Sequence, residues 1–118
     1  MVAIGHIATG VMGTDDQLMN KVKNASISSG EKVWEFPLWP EFCKQIKSNI
    51  ADVKNMGIPP QAGTIAGGAF LKEFVDPKIP WVHFDIAGTA WGVKPDSVNP
   101  KGSATGVGLR LVLDMFGV

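Results

Sequence analysis

Apolar residues crowd the start of the chain, and the run from Val2 to Ala8 predicts a strand buried from the outset. Polar residues take over at Thr14, which makes a capping-box pattern with Gln17 three positions later. Asp15 and Asp16 then fall in a first helical turn, where carboxylates complement the helix dipole. Leu18, Val22 and Ala25 recur at helical spacing on one face, and Gly30, after two serines, supplies a stop. The pattern predicts a one-sided surface helix between Thr14 and Gly30.

Beyond it the stretch VWEFPLW is extended, and Pro40 suits the first turn of a short helix bearing Phe42, Cys43 and Ile46. A short strand is expected over Ile50 to Val53, followed by a loop at KNMGIPPQAG, where glycine and proline dominate. From Thr64 to Val75 the chain is apolar nearly all round, as in a buried helix. Gly67 and Gly68 weaken that helix and imply close backbone packing against a neighbour, and Pro77 ends it. The run PWVHFDIAG has the continuous apolar character of a strand buried on both faces, as in a parallel sheet. Leu109, Val112, Leu113 and Phe116 share one face of a final helix, with Thr105 as its candidate cap. Strands alternating with helices make the fold class α/β. No repeat or linker divides the chain, so residues 1–118 are read as one unit.

Composition narrows the partners more than the fold. The chain has 118 residues, 45% of them hydrophobic and 19% charged, which is globular and of single-domain size. Eleven basic and eleven acidic residues cancel without clustering, so nothing points to nucleic acid. The opening apolar run lacks a basic flank and is too short to cross a bilayer, which reads against both a signal and a membrane anchor. A lone cysteine, Cys43, allows no intrachain disulfide and fits a cytoplasmic location.

Candidate chemistry is sparse. His6, Cys43 and His83 are the only imidazoles and thiol, and none stands at metal-ligand spacing from another. The glycines at Gly102, Gly106 and Gly108 lack the Lys-Ser/Thr ending of a phosphate loop and read as the approach to a capped helix. Asp85, at the C-terminal end of its strand, either orders the following turn through backbone N–H groups or opens a ligand crevice beside Ile86, Ala87 and Gly88. Asp15 and Asp16 point about 100° apart on a helix and are read as cap residues rather than a catalytic pair. Trp34, Trp39, Trp81 and Trp91 are candidates for core or interface anchors.

At ATGVMGTDDQL, WEFPLW, ADVKNMG, WVHFDIAGTAW and KGSATGVGLRL, in order and over nearly the whole length, the chain resembles the leucyl aminopeptidases, a family of cytosolic metalloaminopeptidases. The resemblance implies a mixed central sheet sandwiched between helices, present here as the C-terminal portion of a catalytic domain. It implies an enzyme that removes N-terminal residues from peptides using two divalent metal ions, zinc or manganese, and that assembles as a homo-hexamer. The family's metal-binding lysine and carboxylates and its Asn-Thr-Asp-Ala-Glu-Gly-Arg motif precede the matched segment, so no metal ligand and no catalytic residue carries over. What carries over is substrate-pocket wall: Ala87 and Ala90 beside the residue being released, and Met56 beyond the cut. Three readings follow, the last a small α/β protein that binds a phosphate on its ATGVG loop. In the first the chain is part of a complete aminopeptidase; in the second it is a non-catalytic module that binds partners through its tryptophan-rich surface. Isolated, such a portion is expected to aggregate or self-associate through unpaired sheet edges.

Overall fold

The computed structural model describes residues 3–91 and 103–118. Within them strand β1 (Thr9–Gly13) leads into helix α1 (Asp16–Ser29), then strand β2 (Val33–Glu35) and the short helix α2 (Pro40–Lys44). Helix α3 (Gly63–Lys72), strand β3 (Val82–Asp85) and helix α4 (Leu109–Phe116) complete the order. The sheet runs β2-β1-β3, with β1 parallel to β2 and antiparallel to β3. The sheet is therefore mixed, and the chain is α/β as its pattern implied.

Side chains alternate across a strand, and β1 uses both faces. Val11 points toward α1 and α4, where it joins Met19, Val22, Ala25 and Leu111 in a buried cluster, with Val33, Val82 and Phe84 packed around it. Met12 points the other way, onto α3: a Cβ at Gly68 would collide with the Met12 side chain. A second cluster, Ile46 with Ala66 and Ala69, ties α3 to α2 on that side. Helices thus cover both faces of the sheet.

Several local expectations shift. The opening strand begins at Thr9 rather than within Val2 to Ala8, because residues 3–8 form turns around Gly5, whose φ of 59° bends the chain. Asp15, not Thr14, caps α1, accepting a 2.7 Å bond from Leu18 N. Thr14 Oγ1 instead accepts from Trp81 N. Met19 rather than Leu18 is buried with Val22 and Ala25. Gly30 stops the helix in the left-handed conformation that only glycine adopts freely, as read. No strand forms over Ile50 to Val53. Ser48 Oγ accepts from Ile50 N and Ala51 N, drawing the backbone into a turn, and only a single bridge joins Lys47 to Val53.

Helix α3 ends at Lys72, three residues before Val75. The strand within PWVHFDIAG is antiparallel and half-buried, since β3 lies at the edge of the described sheet.

The largest correction concerns α4. Leu111, 1% exposed, and Met115 face the α1 cluster, whereas Leu109 and Phe116 are 62% and 74% exposed and Val112 and Leu113 are 42% exposed. The helix is turned by its own N-terminus. The buried Glu31 carboxylate accepts from Gly108 N and from Arg110 N, and pairs with Arg110 Nε at 3.3 Å. Ser28 Oγ donates to Asp114 on the flank. Together these contacts fix which stripe meets the sheet. Thr105 is not the cap, and its hydroxyl is used elsewhere.

Candidate functional site

The functional geometry gathers at one end of the sheet, where β1 and β2 start and β3 ends. Asp85 pairs with Gly10 across the strands. A Cβ on Gly10 would lie 3.0 Å from the Phe36 ring and 3.3 Å from Thr64 Cγ2, so glycine lets the N-terminal turn of α3 sit against this end.

Past Asp85 the chain folds into a tight turn. Asp85 Oδ1 accepts from Ala87 N at 3.1 Å, which is the turn-ordering role anticipated for it, and Thr89 N and Ala90 N both donate to Ile86 O. The turn is clamped from three directions. His6 Nδ1 meets Gly88 O at 2.5 Å, and since a carbonyl can only accept, the imidazole carries its proton on Nδ1. Thr9 and Thr89 share a buried hydroxyl bond of 2.9 Å. Thr105 Oγ1 donates to Thr89 O at 2.7 Å while its backbone N–H reaches Ala90 O. Ala87 is left exposed and Ala90 half-buried on a rigid support.

Met56 stands on a second wall. Its loop lies against α3 because Gly57 has no Cβ: one there would come within 2.8 Å of Ala66 Cβ. Met56, Pro59, Pro60, Gly63, Ala66 and Gly67 help line a cavity of about 220 Å³. Beneath the loop the buried Gln45 Oε1 has no hydrogen-bond partner among the described residues. Ala62, just before α3, holds a φ of 46°, a strained conformation for a residue with a side chain. The three residues singled out from the sequence thus occupy two different supports at one end of the sheet: Ala87 and Ala90 on the clamped turn, Met56 on the loop bound to α3.

A larger and chiefly apolar cavity, about 570 Å³, opens toward α4 between Val33, Phe84, Ile86, Val107, Leu109 and Val112. The loop entering α4 is not arranged for a phosphate. Gly108 N and Arg110 N, the amides that would receive one, already hold the Glu31 carboxylate, and Gly102 lies outside the described residues.

Titratable chemistry does not converge. Among the described residues no three His, Cys, Asp or Glu side chains come together as metal ligation requires. Cys43 packs beside the Ile46 cluster. His83 stacks on Trp81, with ring centroids 6.1 Å apart, and burial pushes its pKa below the usual 6.5 against the opposing pull of Asp85. The residues that hold the turn, His6, Thr9, Thr89 and Thr105, are ones that sequence reasoning missed. Their partners are about eighty residues apart for His6 and Thr9, and no local spacing signals such pairs.

Comparison with known proteins agrees with this architecture. Residues 1–113 match the cytosol aminopeptidase family, catalytic domain. A probable cytosol aminopeptidase of Syntrophotalea carbinolica is 49% identical over 116 residues, covering 98% of this chain and 23% of its own length. One from Geotalea uraniireducens is 48% identical over 114 residues, covering 97% and 22%. A mutant of tomato leucine aminopeptidase superposes with a TM-score of 0.84 at 37% identity, covering 98% of this chain and 21% of that one. The chain therefore spans less than a quarter of the length of these relatives.

Proposed function

Because the chain belongs to the cytosol aminopeptidase family, we propose that it is part of a metal-dependent enzyme that releases N-terminal residues, leucine-type first, from peptides. In this reading Ala87 and Ala90 wall the pocket for the residue released, and Met56 walls the space beyond the cut. The observation that carries it is the clamped turn after β3. Two small side chains are presented on a backbone held at Gly88, Thr89 and Ala90 by His6, Thr9 and Thr105. Such a wall selects by shape and keeps water out, and its rigidity preserves the alignment that peptide hydrolysis needs.

The two divalent ions of the reading, zinc or manganese, find no ligand set among the described residues, so no step of the reaction is assigned to this chain's own carboxylates or imidazoles. The same reading includes a homo-hexamer working in the cytoplasm. The exposed Trp34 and Trp39 and the bare stripe of α4 are surface suited to burial in an assembly. No helix among the described residues is long and apolar enough to cross a membrane. No observation favours the non-catalytic interaction module.

The test is N-terminal residue release by the full polypeptide that carries this chain, assayed with zinc and with manganese on Leu-Gly and Ala-Gly dipeptides. Release is expected, and its absence under both metals refutes the proposal. Replacing Ala90 with Met should fill the pocket and lower kcat/KM for leucine relative to alanine by about tenfold, the discrimination that one or two methylenes in an apolar pocket commonly give.

A further inference from the structure

Two neighbouring glycines in α3 have different physical reasons to be there. At Gly68 a side chain would run into the buried side chain of Met12 in β1, which would have to move. At Gly67 a Cβ would meet nothing within 4 Å among the described residues. Glycine is the poorest helix former after proline, so in the middle of α3 it costs stability with no packing contact among the described residues to account for it. What Gly67 does border is the cavity of about 220 Å³ that Met56, on the neighbouring loop, also lines. The backbone separation of the two walls is already fixed, because Gly57 rests on Ala66 one residue away from Gly67. The missing side chain at position 67 therefore contributes directly to the free width of that cavity.

We propose that Gly67 is a specificity-determining residue: its lack of a side chain makes room for the side chain of the residue that follows the scissile bond, an aromatic or long apolar one. This rests on the aminopeptidase reading and on Met56 walling the space beyond the cut. The size fits one side chain rather than a larger ligand, since the space falls below the roughly 300 Å³ at which pockets for drug-sized molecules begin. The lining fits an apolar one. Met56, Pro59, Pro60 and Ala66 offer no charge, and Asn55 and Gln61 are the polar members of the lining.

The experiment compares Leu-Phe with Leu-Gly hydrolysis by the full polypeptide carrying Gly67, Gly67→Ala or Gly67→Leu, alongside the melting midpoint of each. The ratio of kcat/KM for Leu-Phe over Leu-Gly should fall about tenfold in Gly67→Leu and by a smaller factor in Gly67→Ala. The melting midpoint of Gly67→Ala should rise, because a better helix former replaces glycine in open space. A ratio unchanged in both variants overturns the inference while leaving the aminopeptidase reading intact. So does a fall in the Gly67→Ala midpoint, which would make Gly67 a packing glycine like its neighbour. If the unsubstituted protein releases leucine from neither peptide, the aminopeptidase reading fails and this inference fails with it.

Discussion

The two faces of β1 are covered by different means. On the α1 and α4 side, branched and long side chains interdigitate around Val11: Met19, Val22 and Leu111 are almost wholly buried, and Phe84 and Met115 close the edges. On the α3 side the sheet is met through absent side chains, Gly68 against Met12 and Gly10 against Thr64, and the smaller cluster around Ile46 lies between α3 and α2. The first face is built as a core. The second sets glycine backbone against the side chains of Met12 and Thr64 and leaves open space beside Gly67, where the Met56 loop stands. Stability should therefore concentrate on the first face, and room for the side chain beyond the cut on the second.

Mutations can break that contrast. The largest effect is expected at Leu111, which is 1% exposed: Leu111→Ala should cost about 3 kcal/mol in urea unfolding, the usual penalty for emptying a packed site. Leu113→Ala, on the stripe turned away from the core, should cost at most about 0.5 kcal/mol. Equal losses at the two would mean that α4 is rotated relative to the structure described. Next comes Gly68→Ala, where the new methyl must displace Met12 and should cost about 2 kcal/mol as an overpacked contact. A neutral outcome there would remove the distinction drawn between Gly67 and Gly68.

Smaller effects sharpen the picture. Glu31→Gln keeps one acceptor at the start of α4 but loses the charge that Gly108 N, Arg110 N and Arg110 Nε share. A loss of about 1 kcal/mol is expected, with the chemical-shift changes confined to residues 105–111 and the neighbourhood of position 31. The smallest effect is pH-dependent. The folded protein holds the His83 pKa below 6.5, so the unfolded chain binds its proton first as pH falls. The contribution of His83 to stability is thus intact above pH 6.5, diminishes as pH drops from there toward the folded-state pKa, and is constant below it. Comparing melting midpoints of the unsubstituted protein and His83→Gln between pH 7.5 and 5 should show a shallower slope in the variant. Identical slopes would place the pH sensitivity elsewhere.

Much of this was readable one element at a time. The Gly30 stop, Pro40 at the start of α2 and the turn-ordering role of Asp85 are short-range consequences of side-chain chemistry, and the structure has them where the pattern put them; α3, apolar nearly all round, instead buries only one side through Ile65, Ala66, Gly68 and Ala69 and leaves Leu71 exposed. The misreadings share a cause. The stripe Leu109, Val112, Leu113 and Phe116 is a sound amphipathic pattern, yet it faces outward, because Glu31 in a distant loop grips the first turn of α4 and sets its rotation. The capping-box pattern at Thr14 yielded to Asp15 because Trp81, from the segment entering β3, takes the Thr14 hydroxyl. At the site, Met56, Ala87 and Ala90 came from resemblance, and no spacing in the sequence foretold the threonine and histidine clamp that supports two of them.

The sequence by itself determined the α/β class, the family, and most of the turns and stops, since these depend on composition, motif and interactions within a few residues. Only the tertiary structure decided the antiparallel placement of β3, the buried face of α4, the clamp on the 86–90 turn and the different duties of Gly67 and Gly68. Each of these depends on which group arrives from elsewhere in the chain to occupy a hydrogen bond or a volume, and that is fixed by packing rather than by local preference.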